Sequence, residues 1–238
     1  MQARVGLKLK MTERISVLIP AYNSAEYLPQ AIESAICQNV PTETEIIVVD
    51  DGSTDNTREV CERYSQVKYI YQENRGPSAA RNTLLRSMTG NYVAFLDADD
   101  IWTENKLSLQ YEYLKAHPEV PFAGCLVHNF YTPEPVPPYT EDGNSIHYLI
   151  PCLIRKKVFD KTGFFREDLR IGEDTDYRIR MRNCGITGEY IIPEVLLLRR
   201  KHKESLTTDR TDCRKHLAAV LRKRVKDKYE KDSNSNIL

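Results

Sequence analysis

The first hundred residues alternate short apolar runs with segments whose apolar residues recur at helical spacing. The apolar runs are continuous rather than interrupted at every second position, which is typical of strands that are buried on both faces of a sheet. Four runs are predicted as strands: 15–19 (ISVLI), 45–49 (EIIVV), 67–71 (VKYIY) and 92–96 (YVAFL). The pattern therefore predicts an α/β domain built on a parallel sheet with helices on both faces.

The segments between these runs are predicted as helices. A helix is expected over 26–37, because apolar residues recur there at every fourth position. The next follows Thr54 or Asp55, and either side chain can cap it. A third begins at Pro77, since proline is favoured in the first turn of a helix, and a fourth covers 103–117.

The alternation stops after Pro118. Residues 131–145 are rich in proline and have no periodicity, so they are predicted as an exposed loop. Two later apolar runs, 147–154 and 190–198, are predicted as strands that flank a helix near 175–183. The chain therefore continues as a second, less regular part of the same fold.

Charge and composition exclude some classes of protein. The 238 residues are 41% hydrophobic, which is enough for one sizeable core, and 34 basic residues balance 34 acidic ones. No overall positive field therefore indicates nucleic acid as a partner. The region 199–231 is an exception, with thirteen Lys or Arg against five Asp or Glu. We favour a solvated helix face there; the alternative is peripheral contact with anionic lipids.

The chain is expected to be cytoplasmic, with contact to the inner face of the membrane as an option through its basic C-terminal segment. No apolar run approaches the roughly 20 residues that a membrane span needs. The first residues lack the apolar centre of a signal peptide. The six cysteines are scattered without a C-x-x-C pair, which predicts neither a disulfide framework nor a zinc site.

Polar residues follow each of the four predicted strands. In an open parallel sheet, ligands bind outside the carboxyl ends of the strands. The segments found there contain two acidic clusters, two arginines and small polar residues: 20–23 (PAYN), 50–55 (DDGSTD), 72–82 (QENRGPSAARN) and 97–100 (DADD). This inventory suits a phosphorylated ligand held together with a metal ion.

The last of these segments places Asp97, Asp99 and Asp100 within four positions. Carboxylates this close repel one another unless they face water or hold a cation. Asp100 could cap the following helix, but a cap does not explain Asp97 and Asp99, which are expected on alternate positions of an extended segment. Hard divalent cations take oxygen ligands, often together with substrate phosphates. The segment therefore predicts a Mg²⁺ or Mn²⁺ site.

Three other candidates have an ordinary alternative. Asp50, Asp51 and Gly52 could form only a turn and helix cap, rather than bind a base or a ribose hydroxyl. Arg81 could be a solvated surface residue, rather than the partner of a diphosphate. The acidic pair at 173–174 could cap the helix that follows it.

Five segments, in this order and spacing, resemble the family 2 glycosyltransferases, which are inverting enzymes that use nucleotide-diphosphate sugars. They are 15–38 (ISVLIPAYNSAEYLPQAIESAICQ), 45–57 (EIIVVDDGSTDNT), 74–82 (NRGPSAARN), 92–100 (YVAFLDADD) and 161–185 (KTGFFREDLRIGEDTDYRIRMRNCG). The resemblance implies a GT-A fold, with a Rossmann-like, mostly parallel sheet and a smaller acceptor-side C-terminal subregion. It also implies roles for particular residues.

The resemblance assigns the nucleoside pocket to Pro20, Tyr22, Asn23, Asp50 and Asp51. It assigns the donor's sugar, ribose and diphosphate to Arg81, Asp97 and Arg200. It assigns a Mg²⁺ or Mn²⁺ ion to Asp99 and His202, and the general base to Asp174 with Glu173 beside it. The last assignments within 196–207 (LLLRRKHKESLT) depend on a less regular part of the family pattern.

The implied organisation is an N-terminal extension over 1–13, one catalytic domain over 14–210, and a basic C-terminal helix and tail over 211–238. Within the domain, 14–117 is expected to bind the nucleotide sugar, and 118–210 to supply the acceptor side and the base.

The implied reaction moves a sugar from a nucleotide-diphospho-sugar, with a UDP-sugar favoured, to a hydroxyl of a saccharide, a lipid-linked glycan or another acceptor in glycoconjugate biosynthesis. A sugar-phosphate nucleotidyltransferase should have a glycine-rich loop after the first strand, and 20–27 (PAYNSAEY) has no glycine. A phosphoacceptor signalling domain should carry its acidic pair after the first strand. A non-catalytic nucleotide-sugar-binding module remains an alternative.

Overall fold

The computed structural model of the protein describes residues 13–133, 144–145, 149–169 and 172–202. Nearly all of the predicted N-terminal extension, most of the proline-rich loop and the whole of the basic segment 211–238 lie outside these residues. The described residues share one nine-stranded sheet, with strand order β3-β2-β1-β4-β8-β6-β9-β5 and β7 paired with β6. The domain limit at 210 stays a prediction.

The first half of the sheet is parallel, as the apolar pattern predicts. Its strands are β1 (Arg14–Ala21), β2 (Glu43–Asp51), β3 (Val67–Gln72) and β4 (Tyr92–Phe95). The helices between them are α1 (Leu28–Ile36), α2 (Thr57–Glu62) and α3 (Pro77–Ser87). Runs of consecutive buried residues in β1, β2 and β4 place side chains on both faces of the sheet under cover.

The second half mixes both strand directions. Its elements are β5 (Ile101–Trp102), α4 (Lys106–Ala116), β6 (Phe122–Tyr131), β7 (Asn144–Ser145), β8 (Leu153–Arg155), α5 (Lys156–Thr162), α6 (Glu173–Asn183) and β9 (Tyr190–Lys201). β8 joins β4 to β6 and is antiparallel to both, whereas β9 is parallel to β6 and antiparallel to β5. One hydrophobic core connects both halves of the sheet.

Several elements of this half differ from the sequence prediction. β5, β6, β7 and α5 were not predicted, and the strand expected over 147–154 is wrong for residues 149–152. Those residues form a turn in which the Cys152 N–H donates to the Leu149 carbonyl (3.0 Å), so only Leu153 and Ile154 of the run enter β8. The cause is Pro151, which cannot donate to a neighbouring strand. No helix among the described residues is both long and apolar enough to cross a bilayer.

Glu45 stabilises the end of the sheet where β1 and β2 begin. Its Oε1 accepts hydrogen bonds from Ser16 Oγ (2.5 Å), from Thr89 N and Oγ1 (2.6 and 2.9 Å) and from Gly90 N (3.1 Å). Burial alone would raise the pKa of Glu45, but these hydrogen bonds outweigh it and lower the pKa. The ionised form therefore stabilises the fold above the ordinary pKa of a glutamate, and this contribution is lost as the pH falls through the lowered pKa.

We expect Glu45→Gln to lower the free energy of unfolding by about 1–3 kcal/mol at neutral pH, because the donor groups around Glu45 lose a charged acceptor. The difference from wild type should shrink below the folded-state pKa, where wild-type Glu45 is itself protonated. Urea unfolding at neutral pH and at a pH below the folded-state pKa of Glu45 measures both effects. The exposed Glu59→Gln is the control. A difference that is independent of pH would contradict this role for the charge.

Candidate functional site

The carboxyl ends of the parallel strands meet at one edge of the sheet. Ala21 of β1 lies opposite Asp50 of β2, and Asp51 lies opposite Gln72 of β3. The carboxyl end of β9 reaches the same edge, because the backbone N–H of Arg200 donates to Asp100 Oδ1 (3.0 Å). The predicted site residues of the first and last parts of the chain are therefore neighbours in space.

The DADD segment is a turn, not the extended segment that the sequence predicted. The Asp100 N–H donates to the Asp97 carbonyl (3.1 Å), which closes the turn between β4 and β5. Asp100 does not cap a helix, since α4 begins only at Lys106. Its carboxylate is buried and binds the backbone of β9 instead. Asp100 therefore has a structural partner that the sequence could not indicate.

Asp99 and His202 form the pair predicted to hold a metal. His202 Nε2 lies 3.0 Å from Asp99 Oδ2, and the His202 ring lies 5.0 Å from the Tyr27 ring. Burial raises the pKa of Asp99, and the neighbouring Asp97 raises it further, against the opposing effect of His202. The pKa of Asp100 is raised well above its ordinary value by burial and by the other two carboxylates.

This donor set fits a divalent cation. The turn concentrates negative charge where burial disfavours it, and a cation would offset the repulsion. Carboxylate oxygen suits Mg²⁺ and Mn²⁺, and imidazole nitrogen suits the transition metal. Among the residues that the structure describes, no group of three or more His, Cys, Asp or Glu forms a complete metal cage. An ion on Asp99 and His202 would thus take its other ligands from a substrate or from water.

Arg81 links the DADD turn to the acidic pair at the start of α6. Its side chain is buried, so the alternative of a solvated surface arginine is wrong. Nη2 lies 3.2 Å from Asp97 Oδ1, and Nη1 forms an ion pair with Glu173. The Arg81 guanidinium thus joins a carboxylate of the DADD turn to the neighbour of Asp174.

The acidic pair does not cap α6, although the sequence left that alternative open. Gly172, in the left-handed conformation (φ 83°), is the N-cap, and Glu173 and Asp174 are the first residues of the helix. Asp174 Oδ1 accepts a hydrogen bond from the Thr175 N–H (3.1 Å). Burial raises the pKa of Asp174, and Glu173 raises it further, while Arg81 opposes both. A base of raised pKa is better matched to abstracting a proton than an ordinary aspartate.

Asp50 and Asp51, at the end of β2, organise the loops that follow β2 and β3. Asp50 Oδ1 accepts from the Ser53 N–H (2.8 Å), and Oδ2 accepts from the Tyr69 hydroxyl (2.8 Å). Neither aspartate caps α2, whose N-cap is Asn56. Asp51 accepts from the backbone N–H groups of Arg75 (3.0 Å) and Gly76 (2.7 Å). Both carboxylates are buried, and their predicted contact with a base stays a prediction.

The remaining predicted nucleoside residues lie beside these loops. Asn23, at φ 46°, accepts from the Thr54 N–H (2.8 Å), and this bond fixes the loop after β1 against the loop after β2. Tyr22 is 52% exposed. Pro20 is the residue of β1 that lies opposite Val49. The three residues therefore lie at the same edge of the sheet as Asp50 and Asp51, and their role in a nucleoside pocket stays a prediction.

Arg200 stabilises the DADD turn through a hydrogen bond to its backbone. Its Nε donates to the Asp99 carbonyl (2.9 Å), Nη1 contacts Thr132 Oγ1 (3.3 Å), and Nη2 contacts Gln30. The guanidinium also lies 4.6 Å from the centre of the Tyr27 ring. Tyr27 and Gln30 were not among the predicted site residues. The sequence indicates only that they lie near the start of the first predicted helix. A contact between Arg200 and a diphosphate stays a prediction.

The sequence profile described as "Glycosyl transferase family 2" matches residues 16–202. The chain belongs to glycosyl transferase family 2. The predicted family is thereby confirmed. The match covers both halves of the sheet and includes every candidate residue of the site.

Relatives of known sequence are similar to parts of this chain. An uncharacterised glycosyltransferase of Rickettsia prowazekii is 31% identical over 211 residues, which is 81% of this chain and 65% of that protein. The putative teichuronic acid biosynthesis glycosyltransferase TuaG of Bacillus subtilis is 40% identical over 105 residues, 42% of this chain and 41% of the relative. The chain thus spans less than two thirds of the length of either curated relative.

Solved structures share the fold of this chain. TarS residues 1–349 of S. aureus, in complex with UDP-GlcNAc, superpose with a TM-score of 0.72 and 22% identity over 87% of this chain and 65% of that one. The mannosyltransferase PcManGT of Pyrobaculum calidifontis, in complex with GDP-Man and Mn²⁺, gives a TM-score of 0.71 and 21% identity over 91% and 65%. The predicted α/β fold of GT-A type is confirmed.

Proposed function

We propose that this family 2 chain is an inverting glycosyltransferase that moves a sugar from a nucleotide-diphospho-sugar to an acceptor hydroxyl. The observation that carries the proposal is the position of Arg81, whose guanidinium contacts Asp97 of the DADD turn and Glu173 next to Asp174. Arg81 thus connects the DADD turn, whose carboxylates suit a metal ion that binds a diphosphate, to the residue next to Asp174, whose carboxylate suits a general base. Family membership favours this reaction over the nucleotidyltransferase alternative.

The donor would lie along the carboxyl ends of β1–β4. Tyr22, Asn23 and Asp50 would receive the nucleoside, with Pro20 and Asp51 shaping its pocket. Asp97 would approach the ribose or the sugar, and Asp99 and His202 would hold Mg²⁺ or Mn²⁺. The cation would neutralise the negative charge that grows on the leaving nucleoside diphosphate. TarS binds UDP-GlcNAc and PcManGT binds GDP-Man with Mn²⁺, which supports a donor of this class.

Asp174 would receive the proton of the acceptor hydroxyl. In an inverting transfer the acceptor attacks the anomeric carbon in line, on the face opposite to the leaving group, so the base must lie across the sugar from the diphosphate. A carboxylate acts in this way when it comes within about 2.6–3.2 Å of the hydroxyl. Glu173 forms an ion pair with Arg81, so Asp174 rather than Glu173 would act as the base.

The acceptor would be a saccharide, a lipid-linked glycan or another hydroxyl compound in glycoconjugate biosynthesis. The name of TuaG, which refers to teichuronic acid, supports this general setting. A cytoplasmic location is part of the proposal; contact of the segment 211–238 with the inner face of the membrane is the alternative to a segment exposed to solvent. Flotation with anionic liposomes that is lost when the residues after Asp209 are deleted would favour the membrane contact, and unchanged flotation would exclude it.

The test is a panel of UDP-, GDP- and dTDP-sugars with Mn²⁺, read by thermal shift and by slow hydrolysis of the donor. We expect one nucleotide class to raise Tm by about 5–10 °C at a hundredfold excess over Kd. EDTA should abolish hydrolysis, and Mn²⁺ or Mg²⁺ should restore it. Hydrolysis that is insensitive to EDTA would contradict the metal site, and binding without any turnover would favour a non-catalytic module.

A further inference from the structure

The segment 163–169 lies between α3 and α6 and is called the connecting segment below. Phe165 fills its centre, with its ring 5.8 Å from the Phe95 ring of the sheet and 4.5 Å from the Tyr177 ring of α6. The Tyr177 hydroxyl donates to the Gly163 carbonyl (2.7 Å), and Arg180 Nη2 donates to the Phe164 carbonyl (2.9 Å). The connecting segment and α6, which carries Asp174 in its first turn, are thus fastened to each other.

Asn82 of α3 hydrogen-bonds the connecting segment to residues 14–117, which are called the donor half below. Its Oδ1 accepts from the Phe165 N–H (2.8 Å), and its Nδ2 donates to the Phe165 carbonyl (3.0 Å) and to Glu167 Oε1 (2.9 Å). Glu167 Oε2 in turn accepts from Arg75 Nη2 (2.6 Å). Asn82 is 1% exposed, so it makes these contacts within the protein and does not reach a substrate.

The residues of one motif, 74–82 (NRGPSAARN), therefore share a task. Arg75 holds Glu167, Asn82 holds Phe165 and Glu167, and Arg81 holds Glu173 at the start of α6. All three residues belong to the donor half. Their partners Phe165, Glu167 and Glu173 belong to residues 118–210, the acceptor half. The contacts of Asn82 are the ones that fix a backbone position, because the amide of Asn82 pairs with both the N–H and the carbonyl of Phe165.

We infer that Asn82 is a positioning residue for the proposed transfer: it sets the place of Asp174 relative to the donor through the connecting segment and α6. The inference rests on the proposed function. A displacement of about 1 Å in a reacting group can cost on the order of a hundredfold in rate. Loss of the Asn82 contacts should therefore lower kcat while donor binding, which depends on the ends of β1–β4 and on Asp99, remains.

The experiment compares wild type, Asn82→Asp, Glu167→Gln and the double variant Asn82→Asp with Glu167→Gln. The Asn82→Asp change keeps the shape of the side chain, but the new carboxylate faces the Phe165 carbonyl and the Glu167 carboxylate, and like charges repel. We expect kcat of this variant to fall by about 100-fold. The amide of a glutamine at 167 can donate to the new carboxylate, so the double variant should recover at least about tenfold.

Kd for the matched nucleoside diphosphate with Mn²⁺, measured by calorimetry, should stay within about threefold of wild type in all variants. The control is Asn105→Asp, the same change at an exposed position that makes no side-chain cap for α4. If Asn82→Asp fails to fold, Glu167→Ala replaces it; this partly exposed side chain can be removed without touching the Phe165 pair, and kcat should fall by about 3–10-fold.

An unchanged kcat in the folded Asn82→Asp or Glu167→Ala variants would overturn the inference, and so would an equal loss of donor binding and turnover, or a double variant no better than Asn82→Asp. These results leave the proposed function standing, because wild type is active in each. A wild type that binds the nucleoside diphosphate but neither transfers nor hydrolyses any donor would overturn the proposed function and this inference with it.

Discussion

Asp174→Asn is expected to lower kcat by at least ~100-fold, because the proposed base is replaced by an amide that cannot accept the acceptor's proton. The fold should survive, since Asn has the same shape and Asp174 is a carboxylate whose charge is disfavoured by burial and by Glu173. Donor binding with Mn²⁺ should change little. Measurement of kcat, KM for the donor and Tm on the same preparation separates loss of the base from loss of the fold.

The pH profile provides an independent check on the same residue. The base must be deprotonated, so kcat should rise with pH through the pKa of Asp174, and that limb should lie above the ordinary range of an aspartate. Asp160→Asn, a change of the same kind at an exposed carboxylate of α5, is the control and should leave the profile unaltered. Wild-type kcat in Asp174→Asn, or an acid limb at the ordinary aspartate value, would refute the assignment.

Asp99→Asn is the second variant for which a large effect is expected. An amide is a weaker ligand than a carboxylate, and the negative charge that would attract the cation is lost. We expect donor turnover to fall at least ~100-fold, as when a stabiliser of transition-state charge is removed. The Mn²⁺ concentration for half-maximal activity should also rise, because His202 alone would hold the ion on the protein side.

The fold should again be preserved in Asp99→Asn. The change removes one of three carboxylates from the DADD turn, so repulsion falls, and Tm without metal should be unchanged or higher. Asp99→Asn should, however, lose the rise in Tm that Mn²⁺ and the nucleoside diphosphate give to wild type. A variant with wild-type turnover, or one in which Mn²⁺ and nucleotide still raise Tm normally, would show that Asp99 does not hold the ion.

The parallel half of the fold could be predicted because its signal is local. Each strand there is a run of aliphatic or aromatic residues with little interruption, and each helix shows its own periodicity. β6 (Phe122–Tyr131) could not be predicted in the same way, since His128 and Asn129 interrupt the run. Its place in the sheet depends on β8 and β9, which come later in the chain and supply the neighbours that bury it.

The candidate site likewise has a part that local sequence predicts and a part that depends on contacts between distant residues. The Asp residues after β2 and β4 could be placed at one edge from strand direction alone. The contact between Asp99 and His202 joins residues 103 positions apart, and only the family resemblance indicated it. Arg81 shows the limit most clearly: its contact with a diphosphate stays a prediction, and the two carboxylates that it contacts come from the DADD turn and from α6, which are far apart in the sequence. No spacing rule in the sequence predicts that α6 packs close enough to Arg81 for this contact.

The most direct test of the account is a crystal of the protein soaked with Mn²⁺ and, in separate crystals, UDP or GDP, with anomalous data collected for manganese. The account predicts a manganese peak in coordination distance of Asp99 and His202, bridged to both phosphates of one nucleotide, with the base of that nucleotide near Asp50. A manganese ion and nucleotide bound at another place, with the Asp99 carboxylate facing bulk solvent, would contradict it.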